Sequence, residues 1–139
     1  MNVKPFFDTN ILIYAFGEDE KRSEVARILL ATGGVISIQV LNEFVAVLKR
    51  KLKFTWPEIA EALAAVRTLC PKIGELTIAT HEAAMKIAER YGYQIFDSLI
   101  IASAHEAKCK VLYSEDLHDG QEIDGLMIRN PFTKSAAVD

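Results

Sequence analysis

The chain has 139 residues, of which 50% are hydrophobic and 25% charged, and its formal net charge is −3 at pH 7. This composition is typical of one globular domain, and with only two cysteines it excludes a disordered, fibrous or disulfide-stapled protein. The negative balance also excludes a surface that is strongly basic throughout, as many nucleic-acid-binding proteins have. No apolar run reaches the roughly 18 residues of a membrane span, and residues 1–5 lack the layout of a secretion signal. We therefore expect a cytoplasmic protein with reduced thiols and no membrane partner.

The first half of the chain alternates short apolar runs with amphipathic patterns. The predicted elements are a strand at 3–7, helices at 10–16 and 18–32, a strand at 35–38 and a helix from 40 to about 51. Gly33 and Gly34 separate the second helix from the second strand. The acidic run at 18–20 is interpreted as a helix cap.

The second half continues the same alternation. The predicted elements are helices at about 57–69, 80–90 and 98–107, and strands at 75–79, 110–113 and 126–129. Thr55 and Glu58 form a capping-box pattern, and Thr80 is the predicted cap of the next helix. Strands alternating with helices predict an α/β domain with a mostly parallel central sheet between two helical layers. We expect residues 1–132 to form this domain and 133–139 to be a frayed tail.

Four acidic residues are predicted to lie at one end of this sheet. Asp8 closes the first strand and Asp116 follows the fourth, while Asp97 opens the most apolar helix. Glu43 interrupts an apolar stretch early in the helix that follows the second strand. Because sites in open α/β sheets form outside the carboxyl ends of the strands, these side chains are expected to converge.

Converging carboxylates in apolar surroundings need a counter-charge or a proton. No basic residue is near Asp8, Glu43 or Asp97 in the sequence, which favours a divalent cation. Oxygen ligands suit Mg²⁺ or Mn²⁺, and such sites hydrolyse phosphodiesters. Taken singly, each acid also has a purely structural interpretation: Asp8 and Asp97 as helix caps, Glu43 as a solvent-facing residue and Asp116 as a loop acid.

The densest basic run consists of Lys49, Arg50, Lys51 and Lys53. It follows the helix of Glu43, so it is a candidate contact for RNA phosphates, and equally a solvated helix end that suits the helix dipole. The neighbouring Trp56 is a candidate for stacking on a base, or for packing or a partner interface.

Four segments of the sequence resemble the motifs of PIN-domain ribonucleases. They are FDTNILIY at 7–14, SIQVLNEF at 37–44, FDSLIIASA at 96–104, and YSEDL at 113–117 followed by Gly120-Gln121 and Asn130–Phe132. The segments occur in family order and cover nearly the whole chain. A stand-alone domain of this size is most similar to the VapC-type toxins of prokaryotic toxin–antitoxin pairs.

This resemblance implies a Mg²⁺- or Mn²⁺-dependent endoribonuclease that leaves a 5′-phosphate and a 3′-hydroxyl. Asp8, Glu43, Asp97 and Asp116 would be both the catalytic and the metal-binding set, supported through hydrogen bonds by Asn10 and Ser114. Asp119 departs from the family pattern, as an auxiliary acid or a solvated one. The resemblance also implies an RNA substrate, a cognate antitoxin and a homodimer.

Two alternatives remain open at the level of sequence. The first is a catalytically inactive PIN-like domain that binds protein or RNA. The second is a phosphohydrolase of another α/β class with an aspartyl nucleophile, which would require an acid two residues after Asp8, where this chain has Asn10.

Overall fold

The computed structural model describes residues 3–133, in which two helices follow each of the first three strands. The strands are β1 (Phe6–Phe7), β2 (Val35–Ser37), β3 (Lys72–Gly74), β4 (Val111–Tyr113), β5 (Glu122–Ile123) and β6 (Leu126–Arg129). The helices are α1 (Thr9–Phe16), α2 (Glu20–Thr32), α3 (Ile38–Arg50), α4 (Trp56–Leu69), α5 (Ile78–Tyr91) and α6 (Ile95–Glu106).

All the strands of the described range form a single sheet in the order β3-β2-β1-β4-β6-β5. Neighbouring strands run parallel except for β5 and β6, which are antiparallel. The chain first places β2 and β3 on one side of β1 and then returns to place β4 on the other side. The strand order therefore reverses between β1 and β4, and the crevice beyond their carboxyl ends is where sheets of this kind bind ligands.

Local sequence signals account for most helix starts. Asp19 caps α2 through its side chain. Thr55 and Glu58 form the predicted capping box of α4, which satisfies backbone N–H groups that the helix itself leaves unpaired. Gly92, with φ of 78°, ends α5 in the left-handed conformation that glycine adopts without steric cost.

Buried aromatic and aliphatic side chains from the sheet and all six described helices form the core. Phe6 and Phe7 of β1 are fully buried, and half of α6 is buried, including Ile100 and Ile101. The ring of Phe7 covers the backbone of Gly34 so closely that a Cβ atom there would collide with it. Both cysteines, Cys70 and Cys109, are buried free thiols, as expected.

The α/β class and the mostly parallel sheet flanked by helices agree with the sequence prediction. The third strand was predicted wrongly: it occupies Lys72–Gly74, where it pairs with β2, rather than 75–79. Part of the predicted strand at 75–79 instead forms the start of α5, which begins at Ile78. The N-cap of this helix is Thr77, in a reciprocal capping box with Thr80, so the prediction of Thr80 as the cap was wrong. The segment between Asp116 and the last strand contains the short strand β5, which was not predicted.

The predicted domain of residues 1–132 and tail of 133–139 extend beyond the described range at both ends. Residues 1–2 and 134–139 lie outside the described residues, and the two boundaries remain predictions. Across residues 3–133, every helix is too short or too polar to cross a lipid bilayer.

Candidate active site

A cavity of about 430 Å³ opens beside the carboxyl ends of β1 and β4. Helices α1 and α3 and the loop after β4 supply its walls. Its lining includes Asn10, Glu43, Asp116, Arg50 and Lys51. Three residues of the sequence-predicted site set and two of the basic run therefore share one cavity at the switch point of the sheet.

Asp8 lies at the junction of β1 and α1 and is only 5% exposed. One carboxylate oxygen accepts a hydrogen bond from the backbone N–H of Thr9 at 2.7 Å, which caps α1, and the other accepts from the Ser114 hydroxyl at 2.8 Å. The pKa of Asp8 is raised to about 7, because burial raises it most and the charges of Glu43 and Asp116 add to that effect, while the two hydrogen bonds oppose it. Asp8 thus caps α1, and its pKa of about 7 means that the carboxyl group is only partly ionised at neutral pH.

Glu43 is held on α3 by two side chains that the sequence analysis did not identify. The hydroxyl of Thr9 donates to one carboxylate oxygen at 2.7 Å, and the amide of Gln39 donates to the other at 3.0 Å. Gln39 precedes Glu43 by four residues, one helical turn, so this contact was open to prediction from spacing. Thr9 reaches Glu43 only through the packing of α1 against α3.

Ser114 and Asn10 connect the loop after β4 to Asp8 and Asp116. The Ser114 hydroxyl donates to Asp8 and accepts from the backbone N–H of Asp116 at 3.1 Å. The Asn10 amide donates to the Asp116 carboxylate at 3.3 Å, and its carbonyl oxygen accepts from the backbone N–H of Glu115 at 3.1 Å. Both residues therefore make hydrogen bonds of the kind that the resemblance implied for them.

Asp97 lies in the first turn of α6, where Gln94, not Asp97, is the N-cap. The helix begins at Ile95 and not at 98 as predicted, and the alternative interpretation of Asp97 as its N-cap was wrong. An acid in a first turn still interacts favourably with the helix dipole. Partial burial raises the pKa of Asp97, and the charges of Asp116 and Glu43 raise it further. The charges of Glu43 and Asp116 therefore act on both Asp97 and Asp8.

The four acids are gathered without a basic partner and without a closed ligand cage. Among residues 3–133, the ion pairs are those of Arg22 with Asp19 and with Glu115. Within the same range, no three or more His, Cys, Asp or Glu residues are grouped so that they could hold a metal ion. The carboxylates of Asp8 and Glu43 are instead oriented by protein hydrogen bonds.

A second acid in the loop, Glu115, anchors that loop to α1 and α2. Arg22 Nε donates to its carboxylate at 2.7 Å, and the Tyr14 hydroxyl donates to the other oxygen. The Arg22 guanidinium also lies 5.4 Å from the centroid of the Tyr14 ring and 5.8 Å from that of Phe132. Burial, and then the hydrogen bond to Glu115, raise the pKa of Tyr14 to about 12. We call Arg22, Glu115 and Tyr14 the loop anchor. Glu115 lies 93 and 101 positions from the other two, so the sequence did not predict these contacts.

The structure divides the predicted basic run into two parts. Arg50 and Lys51 line the cavity together with Glu43 and Asp116, whereas Lys49 and Lys53 do not. Lys49 instead places its ammonium 4.9 Å from the centroid of the Trp56 ring. Asp119, the departure from the family pattern, accepts a hydrogen bond from the backbone N–H of Asn130 at 2.9 Å and does not line the cavity.

The family model of the PIN domain matches residues 6–119, which contain all four acids and both cavity cations. The mostly parallel sheet with carboxylates at its switch point defines an α/β fold of the PIN class. The match to the family model shows that the chain belongs to the PIN domain family. A search among curated proteins found no match.

Solved structures share this fold at low sequence identity. A toxin–antitoxin complex from Klebsiella pneumoniae is 20% identical with a TM-score of 0.70, covering 91% of this chain and 97% of that chain. The sarcin-ricin loop cleaving toxin VapC20 of Mycobacterium tuberculosis is 21% identical with a TM-score of 0.63, covering 80% and 88%. VapBC2 from Rickettsia felis, bound to a promoter DNA fragment, is 21% identical with a TM-score of 0.63, covering 90% and 96%.

Proposed function

We propose that this PIN-domain protein is a metal-dependent endoribonuclease and the toxin of a toxin–antitoxin pair. The observation that carries the proposal is the buried carboxyl group of Asp8 at the switch point of the sheet. Its pKa is raised to about 7 by burial and by the charges of Glu43 and Asp116. A group of this kind is costly to ionise unless a cation joins it, and perturbed groups cluster at functional sites.

The donor set fits a hard divalent cation. All four acids offer carboxylate oxygens, and none of them is in an ion pair with a basic residue of the described range. Asp8, Glu43, Asp97 and Asp116 would hold Mg²⁺ or Mn²⁺, which supplies activated water and positive charge for phosphodiester hydrolysis. A bound dication would also lower the pKa of Asp8 and so restore its ionised form.

The chain's own residues orient and hold these carboxylates. Thr9 and Gln39 fix both oxygens of Glu43, while Ser114 joins Asp8 to the loop that carries Asp116. Arg50 and Lys51 add positive charge along the same cavity, where they would contact the phosphates of an RNA strand. Local charge of this kind compensates for a net charge of −3.

The toxin role is supported by the fold shared with a toxin–antitoxin complex, VapC20 and VapBC2. We propose a cognate antitoxin as partner on this basis, and a homodimer on the basis of the family resemblance. A cytoplasmic location is also proposed, in keeping with two buried free thiols.

A second function has one specific observation in its favour. Because no three acids of the described range are grouped so that they could hold a metal ion, an inactive PIN-like domain that binds protein or RNA remains an alternative. Cleavage of RNA separates the two functions directly.

The experiment is cleavage mapping on total RNA with Mg²⁺ and with chelator, using wild type, Asp8→Asn, Asp97→Asn and the control Asp119→Asn. We expect wild type and Asp119→Asn to give Mg²⁺-dependent 5′-phosphate and 3′-hydroxyl ends. Each of the other two variants should lose at least about 100-fold, because metal stabilisation is worth several kcal/mol. Undiminished cleavage by both variants, or chelator-insensitive cleavage, would reject the metal-dependent nuclease.

Expression in a bacterial host tests the toxin role separately. Wild type should arrest growth when expressed without a partner, and Asp97→Asn should not. If both forms are equally harmless while the purified wild type cleaves RNA, the toxin role fails and the nuclease function survives.

A further inference from the structure

The single tryptophan of the chain is an exposed side chain next to the basic run. Trp56 is the first residue of α4 and is 62% exposed. Tryptophan offers the largest apolar ring of any residue and is usually largely covered in a folded domain. An indole with most of its surface exposed is therefore a candidate contact for a ligand.

The backbone on both sides of Trp56 is firmly held. The Thr55 backbone N–H donates to the Glu58 carboxylate at 2.8 Å, and the Glu58 backbone N–H donates to the Thr55 hydroxyl at 3.3 Å. The backbone N–H of Phe54 donates to the carbonyl of Leu48 at 3.0 Å, which ties the loop to α3. The indole is thus displayed from an ordered position rather than from a loose loop.

Basic residues lie beside this indole and on the helix that carries Glu43. Lys49 places its ammonium 4.9 Å from the ring centroid, a cation–π contact, and also donates to the carbonyl of Phe54 at 3.4 Å. Arg50 and Lys51, the next two residues, line the cavity that contains Glu43. Arg50 follows Glu43 by seven positions on α3, about 10 Å along the helix axis.

We propose that Trp56 and the cations at 49–53 form a subsite that stacks a base of single-stranded RNA and guides the strand into the acidic cavity. Flat rings stack on any base, while lysine and arginine follow the phosphates. A protein partner would fit less well, because the cores of protein interfaces are enriched in tryptophan but depleted in lysine. As a subsite for the substrate, this proposal rests on the proposed nuclease function, but its binding test does not require cleavage.

The first test uses the intrinsic fluorescence of Trp56, which needs no label because the chain has no other tryptophan. The Asp97→Asn protein with Mg²⁺ is titrated with a single-stranded oligoribonucleotide of mixed sequence, and in parallel with a blunt RNA duplex. We expect saturable quenching by the single strand and little by the duplex, whose bases are already stacked. Equal spectra with and without single strand, under conditions where binding is measured independently, would overturn the proposal.

The second test measures affinity by anisotropy of the same oligoribonucleotide carrying fluorescein, with Trp56 variants made in the Asp97→Asn background. Trp56→Ala should weaken binding roughly 5- to 150-fold, as loss of one stacked base does, and Trp56→Phe should recover most of it. The slope of log affinity against log salt should stay unchanged in Trp56→Ala, because no phosphate contact is lost. Ile78→Ala, another exposed apolar residue on a helix, is the matched control and should bind like its Asp97→Asn parent.

The outcomes separate this proposal from the proposed function. Wild-type cleavage combined with unchanged binding by Trp56→Ala rejects the subsite and leaves the nuclease intact. Quenching by a single strand without any Mg²⁺-dependent cleavage supports the subsite and rejects the nuclease. If Trp56→Ala instead dissociates a dimer in sedimentation experiments and leaves RNA affinity unchanged, the indole belongs to a protein interface and the proposal is wrong.

Discussion

The carboxylates of the site fall into two pairs that are held very differently. Asp8 and Glu43 each accept two hydrogen bonds, one at each oxygen. Asp116 accepts one, and Asp97 accepts none from the described residues. The first pair lies on elements next to the centre of the sheet, and the second on the start of α6 and on a loop.

The difference suggests a division of labour between a fixed pair and an adjustable pair. Preorganised groups cost no reorganisation when charge develops near them. Asp97 and Asp116, which accept fewer hydrogen bonds than Asp8 and Glu43, form the adjustable pair. Variants at these carboxylates, and at the residues that hold them, test this division.

The largest effect is expected from Asp8→Asn on the stability of the metal-free protein. The folded pKa of Asp8, about 7, lies above the ordinary value of 3.8, so the folded state binds this proton more tightly than the unfolded chain does. Stability should therefore fall as pH rises from about 4 to 7 and stay low above that, by up to a few kcal/mol. In chelator, Asp8→Asn should melt several degrees above wild type at pH 8, with the gap closing toward pH 4.

The control for this prediction is Asp119→Asn, which changes an acid outside the cavity and should melt like wild type at both pH values. A wild-type melting temperature that rises steadily between pH 4 and 8 would contradict the pKa assigned to Asp8.

The next largest effect is expected from Ser114→Ala, which breaks the link between the fixed pair and the loop. The Ser114 hydroxyl donates to Asp8 and accepts from two backbone N–H groups, so its removal leaves buried partners unsatisfied. We expect a loss of roughly 1–3 kcal/mol in the free energy of unfolding and at least about 10-fold in cleavage.

Ser103→Ala is the matched control for this change. Ser103 is 2% exposed, and its hydroxyl has no hydrogen-bond partner in the described part of the chain. Its replacement should be neutral or slightly stabilising, and equal destabilisation by both serine variants would show that the hydrogen bonds of Ser114 carry no special weight.

The smallest effect is expected from the loop anchor. Glu115→Gln removes the charge that pairs with Arg22 while it keeps the size of the side chain. We expect a loss of about 1 kcal/mol in stability and a several-fold decrease in cleavage, because the loop that carries Asp116 is held less firmly. Urea unfolding and initial cleavage rates measure the two effects.

Asp19→Asn, which removes the other ion pair of Arg22 and retains a good helix cap, should change neither quantity by much. If Glu115→Gln is as silent as Asp19→Asn, the anchor does not position the loop.

The sequence allowed prediction of those features that depend on local order or on the sheet as a whole. Asp8 follows a buried strand, and Thr55 with Glu58 forms a local cap, so both were placed correctly. The alternation of elements gave the parallel sheet and, with it, the end at which the acids gather.

Features that depend on tertiary pairing were not predictable in this way. β3 is defined by its register against β2, not by its own alternation, since only Ile73 of its three residues is a large apolar residue. Arg22 and Glu115 meet across 93 positions of the chain, and nothing near either one indicates the other. Thr9 contacts Glu43 across 34 positions for the same reason.

The close packing of the Phe7 ring against the backbone of Gly34 affects the position of Asp8, which follows Phe7 in the chain. Phe7 directly precedes Asp8, so any side chain grafted at Gly34 would push the aromatic ring and shift the strand end that carries the carboxyl group. A random screen for inactive mutants should therefore recover Gly34 substitutions, although this residue offers no chemistry of its own. The tolerance of the candidate site to mutation is set partly by the space at Gly34, the residue before β2.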